Sequence, residues 1–257
     1  MSNSSQKLKT SVFSLTDHIK IKMIMNYRQY VYFDIETAGK YPDLETLKNQ
    51  DKIGYNLFLR KIDRKSDQFK DWKEVDPNDV YKNKVSLIPE FGKVVCVSVG
   101  IIKEDEGEDK FVINSFYGKD EEKIIKDVHK VFNKFSYKTL FGLSGFYIKG
   151  FDIPWLNRKF MEYGLEIPNL FKNFKVKPWE MNVLDLAEAW KGYSTLESVS
   201  FEEMLYLLDI KSPKEIMKGS EVHDYFWVKD DLEKIKKYCE ADVKSCLEAG
   251  KKIIPLL

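Results

Sequence analysis

Two acidic side chains stand in a segment that otherwise favours a buried strand. The residues from Tyr30 to Glu36 are mostly β-branched or aromatic, which predicts a strand. Asp34 and Glu36 are two residues apart, so their side chains leave one face of that strand about 7 Å from each other. Burial would leave two like charges without water, and a divalent cation bound by carboxylate oxygens would neutralise them. The competing interpretation is a solvated strand end with both acids at the surface.

The last predicted helix carries a third acid on an apolar stripe. This helix begins at Asp230 or Asp231 and continues to about Ile253, and Asp242 falls between its core-facing positions. A buried aspartate is unfavourable there unless it is paired or binds a metal. Tyr238 lies one turn earlier on nearly the same face, so its hydroxyl reaches the space before Asp242. The alternative is that a lysine pairs with Asp242 and that Tyr238 is an ordinary core residue.

A fourth acid, Asp152, stands two residues before Pro154 at the start of a helix predicted to end near Tyr163. Aspartate is a favoured N-cap and proline a favoured early-helix residue, so capping alone explains Asp152. Each acid taken singly therefore admits a structural explanation. Only their combination, Asp34, Glu36, Asp152 and Asp242, indicates a shared site.

The elements that would position these acids predict one α/β domain. Further strands are predicted over Lys93–Ile102, Lys110–Tyr117, Thr139–Leu143 and near Asn182–Leu186. Further helices are predicted around Asp43–Asn49 and Asn56–Phe69, after Asp120, and over Ser200–Leu208. Hairpin strands followed by strands that alternate with helices predict a mixed sheet covered by helices. We expect a basic N-terminal extension over residues 1–28 and one domain over residues 29–257.

Composition limits the classes of protein that this chain can represent. Hydrophobic residues make up 43% of its 257 residues, which is enough for a core, and no apolar run is long enough to span a bilayer. Lys and Arg number 42 against 41 Asp and Glu, so nucleic-acid binding would depend on local patches or bound metal. Three cysteines and the lack of a signal-peptide core predict a reduced, cytoplasmic protein with no membrane association.

Three segments resemble the exonuclease motifs of the DEDD superfamily. In chain order they are Val31–Thr37, Lys149–Pro154 and Tyr238–Val243. The tyrosine four residues before Asp242 is typical of the Tyr-type (DEDDy) branch. The sequence is most similar to predicted 3′–5′ exonucleases related to the proofreading domain of family-B DNA polymerases, and the similarity extends from about Arg28 to Leu257.

This resemblance implies a DnaQ-like, ribonuclease H-like fold: a five-stranded mixed sheet flanked by helices, with the first strand in its centre. It implies a metal-dependent 3′–5′ exonuclease acting on single-stranded 3′ ends, with DNA favoured over RNA. The implied ligands of two Mg²⁺ or Mn²⁺ ions are Asp34, Glu36, Asp152 and Asp242. Tyr238 would orient the attacking water. The implied substrate-binding residues are Thr37, Tyr147 and Phe151.

The second motif departs from the family pattern. The family usually has His-Asn where this sequence has Phe146 and Tyr147. An aromatic ring at this point would stack on a base, and local packing of both rings is the alternative. Basic residues within 149–178, among them Lys159, would form a rim for a single-stranded backbone or else a solvated surface.

Other functions stay compatible with the sequence. One is a 3′–5′ exoribonuclease, since no residue pattern identifies a contact to a 2′-hydroxyl. Another is a weakly active nucleic-acid-binding module, which the altered second motif favours and the intact acids oppose. A third is a subunit that docks on a polymerase or repair complex through the long insertion Thr37–Gly92.

Overall fold

A five-stranded mixed sheet forms the centre of the protein. The computed structural model describes residues 26–66, 76–136, 142–172, 182–192, 194 and 199–257. The strands are β1 (Tyr30–Gly39), β2 (Gly92–Asp105), β3 (Glu108–Tyr117), β4 (Gly142–Gly145) and β5 (Val183–Asp185), in the order β3-β2-β1-β4-β5. The pairs β1–β2 and β2–β3 are antiparallel, whereas β1–β4 and β4–β5 are parallel. The predicted mixed sheet with the first strand at its centre is thus confirmed.

Helices cover both faces of the sheet. The α-helices of the described residues are α1 (Leu44–Gln50), α2 (Lys52–Ser66), α3 (Pro77–Lys84), α4 (Glu121–Ser136), α5 (Asp152–Glu162), α6 (Leu186–Lys191), α7 (Phe201–Leu207), α8 (Val222–Trp227) and α9 (Leu232–Ile253). Short 3₁₀ helices cover Tyr27–Gln29, Val85–Leu87, Asn169–Phe171, Pro213–Glu215, Gly219–Glu221 and Ile254–Leu256. None of the helices described here is long and apolar enough to cross a bilayer.

Most predicted elements are present, with shifted ends. The strand predicted over Thr139–Leu143 is β4, which begins at Gly142, and residues 137–141 lie outside the described residues. The sequence analysis did not identify α3, α6 and α8, which have eight residues or fewer. Such short helices have too few turns to show an apolar periodicity. The predicted N-terminal extension lies almost wholly within residues 1–25, outside the described residues.

Side chains alternate strictly along β1 and enter two apolar cores, one on each face of the sheet. Val31, Phe33 and Ile35 point into a core that α4 and α5 complete. Tyr30 and Tyr32 point into the opposite core, which contains the apolar side of α9. Since strand side chains alternate, Asp34 and Glu36 continue the face of Tyr32 towards α9. The strand therefore positions both acids between the sheet and the last helix.

The insertion Thr37–Gly92 forms a third layer beside the end of β1. Helices α1 to α3 enclose a separate apolar cluster that includes Phe58, Tyr81 and Phe91. The Lys40 N–H donates to the Phe91 carbonyl at 2.9 Å, which closes the base of the insertion against the sheet. From the other side, the Gly39 N–H donates to Nδ1 of His223 on α8 at 2.9 Å. The end of β1 is thus fixed from two directions.

The prediction that Lys159 belongs to a nucleic-acid-binding rim is wrong. Lys159 is only 2% exposed, and its ammonium group contacts Glu121 at 3.2 Å and Glu162 at 2.8 Å. It also donates to the Gly92 carbonyl at 3.1 Å. The residue lies on the core side of α5, where a lysine is stabilised only by such partners. Lys159 therefore holds α5 to the sheet and offers no charge to a phosphate backbone.

We expect Lys159→Met to lower the free energy of unfolding by about 3 kcal/mol, because it breaks a buried ion pair while keeping a side chain of similar length. The matched control is Arg158→Met, at the preceding position. Arg158 is exposed, and its guanidinium lies 3.9 Å from Glu90. The control should change stability by less than about 0.5 kcal/mol. Urea unfolding of both variants measures the difference, and equal stabilities would contradict the structural role of Lys159.

Candidate active site

The central strand brings two acids to the face covered by α9. The Cα atoms of Asp34 and Glu36 pair with those of Ser98 and Cys96 on β2. Glu36 is buried and Asp34 is partly exposed. The register then shifts, because β2 has one extra residue, Val95, between the partners of Glu36 and Thr37. Such a bulge bends the strand and increases its twist next to the carboxylates.

Asp152 reaches the same strand from the start of α5. Its Oδ1 accepts the Ile35 N–H at 3.0 Å, and Ile35 lies between Asp34 and Glu36. This amide is available because the pairing of β1 with β4 ends at Tyr32. The alternative interpretation of Asp152 as a simple N-cap is not the arrangement found: Asp152 is the first helical residue, and the cap position is occupied by Phe151. The carboxylate is instead directed across the gap to the strand.

Asp242 and Tyr238 approach from α9. Both side chains are buried, and the Tyr238 hydroxyl lies near enough to the Asp242 carboxylate to offset part of the rise that burial causes in the pKa of Asp242. Between them in sequence, Cys239 directs its thiol at Asp34, with Sγ 3.4 Å from the backbone oxygen and 3.5 Å from Oδ2. The ligand atoms of Asp34, Glu36 and Cys239 all lie within 4.8 Å of one another. The helix thus delivers a phenol, a thiol and a carboxylate to the acids of β1.

Burial and the charges of neighbouring acids change the pKa values of the four carboxylates. Burial raises the pKa of Asp34 well above its ordinary value, and the charges of Asp242 and Asp152 raise that pKa further. Burial also raises the pKa of Glu36, followed by the charges of Asp34 and Asp242. For Asp152 and Asp242, burial raises the pKa to about 8 and about 7. Asp34 and Glu36 therefore form the tight group with Cys239, and Asp152 and Asp242 lie outside its 4.8 Å limit but near enough to influence the pKa values of both acids.

No lysine or arginine neutralises this group among the described residues, where none of the four acids has an ion pair within 4.0 Å. The nearest positive influence is Lys214, whose charge lowers the pKa of Asp242. Its ammonium group is paired with Glu202 at 2.6 Å rather than with Asp242. The pairing of Asp242 with a lysine, left open by the sequence, is therefore not the arrangement found. Oxygen donors without a basic partner suit a hard divalent cation.

The loop before Asp152 separates the two aromatic residues of the altered motif. Phe146 packs against Phe201, with ring centroids 4.7 Å apart, and belongs to the core beside α9. Tyr147 is 59% exposed and has φ +60°, in the left-handed region. Its ring covers Gly150, where a Cβ atom would lie 2.5 Å from it. Local packing thus explains Phe146, whereas Tyr147 presents an aromatic ring to solvent.

The sequence analysis missed Asp185, a buried acid at the end of β5. Its Oδ1 accepts the N–H groups of Tyr147 and Ala187, and its Oδ2 accepts that of Lys149, all at 2.9 Å. These bonds fix the loop that leads to Asp152. A signal was present in the sequence, since Asp185 follows an apolar strand just as Asp34 does. An aspartate at this position is also typical of a helix N-cap, and Asp185 does cap α6.

The remaining substrate candidates lie on the side of the insertion. Thr37 leaves β1 on the face opposite to Glu36, and its hydroxyl donates to the Ser86 carbonyl at 2.6 Å. Phe151 packs near Trp155, with ring centroids 5.9 Å apart. It also lines a cavity of about 230 Å³ together with Leu87 and other residues of the insertion and of α5. The Thr37 hydroxyl serves the fold, while Phe151 faces open space beside Asp152.

The segment that contains the second and third motifs matches a known protein family. Residues 87–246 match a family described as a predicted 3′–5′ exonuclease related to the exonuclease domain of PolB. The match includes Asp152, Tyr238 and Asp242, and the structure places β1, which precedes it, against these residues. No curated protein matches the chain. Since the match spans more than half of the residues and the sheet agrees with a ribonuclease H-like exonuclease, the chain belongs to this family of predicted 3′–5′ exonucleases.

Proposed function

We propose that this protein is a metal-dependent 3′–5′ exonuclease that removes nucleotides from the 3′ end of single-stranded DNA. The observation that carries the proposal is the convergence of four carboxylates, from β1, α5 and α9, in one desolvated space. Desolvation and mutual repulsion oppose such a cluster unless protons or cations neutralise it. Phosphodiester hydrolysis is the chemistry that a pair of divalent ions in such a site supports.

The proposed ligands of two Mg²⁺ or Mn²⁺ ions are Asp34, Glu36, Asp152 and Asp242. When bound, such ions supply an activated hydroxide and stabilise the leaving 3′ oxygen. Asp34 is the proposed shared ligand, as the resemblance to the DEDD superfamily implies. Asp152 is held in direction by the Ile35 N–H, and Asp34 by the thiol of Cys239. These contacts leave further carboxylate oxygens for cations.

Tyr238 is the proposed positioning residue for the attacking water. Burial raises the pKa of its hydroxyl, and the charges of Asp242 and Glu36 raise it further. The phenol therefore stays neutral at physiological pH and is not a base. As a neutral hydroxyl on a buried side chain beside Asp242, it offers an oxygen lone pair to a water molecule.

DNA is the proposed substrate because the family is related to the exonuclease domain of a DNA polymerase. The exposed ring of Tyr147 supports contact with an unpaired nucleotide, since any base can stack on an aromatic surface. RNA is the competing substrate, and weak or absent turnover is the competing property. Both are outcomes of the assay that follows.

With Mn²⁺ or Mg²⁺, we expect the purified protein to shorten a 5′-labelled single strand into a ladder from its 3′ end. Asp34→Ala should abolish this activity, because it removes the shared ligand, and EDTA should do the same. Denaturing gel electrophoresis of DNA and RNA strands, run in parallel, measures the ladder and the preference. A protein that binds both strands but shortens neither would contradict the proposed activity.

Tyr238→Phe should lower kcat by about 10- to 100-fold, the usual effect of losing a residue that orients a reactive group beside a metal. Mn²⁺ affinity should stay nearly unchanged, because the phenol is not a proposed ligand. Calorimetric titration with Mn²⁺ and single-turnover hydrolysis separate the two effects. A variant that loses its metal affinity as well would show that Tyr238 acts through the ligands and not through water.

Without metal, the free energy of unfolding should fall as the pH rises from about 4 to about 8. The direction of this change follows from the raised pKa values of two acids. The folded protein keeps a proton on Asp242 until about pH 7 and on Asp152 until about pH 8. The unfolded chain releases both protons near the ordinary pKa of 3.8. Stability present at low pH is therefore lost across this window.

Urea unfolding in EDTA measures this decline, and Mn²⁺ should reverse it at the upper end of the window. Asp242→Asn is the matched control, because it keeps the shape and removes one of the titrating charges. Its stability should depend less on pH than that of the original protein. A metal-free protein whose stability is constant across this window would show that the four acids do not share a desolvated space.

A further inference from the structure

A groove runs along α2 on the outer side of the insertion. It encloses about 760 Å³, and the residues that define this insertion groove are Lys40, Ile53, Leu57, Lys61, Arg64 and Phe91. Four of them belong to α2 at spacings of four, four and three residues, so they form one stripe along the helix. The first half of this stripe is apolar and the second half is cationic.

The apolar half of the stripe is open to solvent. Ile53 is 75% exposed and Leu57 is 46% exposed, although Phe58 and Ile62 of the same helix are buried in the core of the insertion. Exposed aliphatic side chains one helical turn apart provide a surface against which unpaired bases and sugars pack. The groove thus combines apolar and cationic contacts, as single-stranded nucleic acid requires.

The charge of α2 is opposite to that of a phosphate backbone. Its sequence contains five basic residues and one acid, in a chain whose net charge is +1. Two acids also line the groove, but both have partners: Asp51 accepts the Gly54 N–H at 2.8 Å, and Glu90 accepts the Lys61 ammonium at 2.6 Å. Lys40 and Arg64 are exposed. The charged residues that line the groove are therefore Lys40, Lys61 and Arg64 against Asp51 and Glu90, which leaves a small excess of positive charge.

The insertion groove adjoins a smaller cavity that is lined by Phe151, the residue before Asp152. The smaller cavity beside Phe151 shares Lys61 and Glu90 with it, so the Lys61–Glu90 ion pair lies at the boundary of the two. Phe151 immediately precedes Asp152, and Lys40 immediately follows the end of β1. A strand with its 3′ end beside Asp152 would reach the groove by passing this cavity and the ion pair.

We propose that the insertion groove binds the single strand upstream of its 3′ end, with phosphates at Lys40 and Arg64 and bases against Ile53 and Leu57. This inference rests on the proposed function, which it extends from the reacting nucleotide to the strand behind it. It gives the insertion Thr37–Gly92 a role in substrate affinity. A docked protein is the alternative occupant, and the positive charge and the adjoining cavity beside Phe151 favour nucleic acid.

The test is the full-length double variant Lys40→Gln/Arg64→Gln, which removes two exposed charges and leaves the acids and the core of the insertion intact. With EDTA present, fluorescence anisotropy gives the Kd for a labelled single strand at several salt concentrations. Loss of two phosphate contacts should reduce the slope of log Kd against log salt by about 1.4. The Kd at low salt should rise about tenfold or more.

The matched control is Lys123→Gln/Lys126→Gln, which removes two exposed charges from α4 on another part of the surface. Its slope should stay close to that of the original protein. If the groove variant and this control have the same slope, the proposed path of the strand is wrong. That result would also leave the insertion as a surface for a protein partner.

Hydrolysis separates this inference from the proposed function. The p-nitrophenyl ester of thymidine 5′-phosphate occupies only the site of the acids, so the groove variant should cleave it at the original rate while its KM for a long strand rises. Equal loss on both substrates would contradict the groove. If the original protein cleaves neither substrate, the proposed function fails, and the salt dependence of binding still decides whether the groove holds the strand.

Discussion

Repulsion among buried carboxylates is the constraint on which the rest of this structure depends. Asp34, Glu36, Asp152 and Asp242 come from elements far apart in the chain, and burial raises the pKa of each of them. No basic side chain of the described residues forms an ion pair with them, so protons or cations must neutralise them. A fold that needed only stability would place apolar residues here. Holding the acids together in this environment favours the binding of protons or cations that neutralise their charge.

The geometry of the sheet makes that arrangement possible. Because β4 is short, its pairing with β1 ends at Tyr32, and the Ile35 N–H beyond that point is left for Asp152. Across the strand, α9 brings its thiol and carboxylate against the side chains that alternation directs towards it. The acids therefore meet at the point where the central strand passes beyond its shorter neighbour, as expected for a mixed sheet with crossover helices.

Sequence patterns could predict the parts of this site that depend on periodicity. Alternation along β1 placed Asp34 and Glu36 on one face, and the stripe on the last helix placed Asp242 and Tyr238 on its buried side. Periodicity does not specify the partner of a polar side chain. For that reason the direction of Asp152, the engagement of the Thr37 hydroxyl and the burial of Lys159 depended on contacts between segments distant in sequence. The role of Asp185 likewise depends on hydrogen bonds to a loop distant from it in sequence.

The altered second motif can be understood through its backbone. Residue 147 has φ +60°, a conformation that asparagine adopts more readily than most other residues, and asparagine is what the family usually has there. Tyrosine in this conformation is strained, and the bond from its N–H to the buried Asp185 offsets part of that strain. The loop can therefore keep its shape, and the direction of Asp152 with it, while the side chain at this position changes. An exposed aromatic ring thus stands where the resemblance to the DEDD superfamily implies an amide, and Asp152 still accepts the Ile35 N–H.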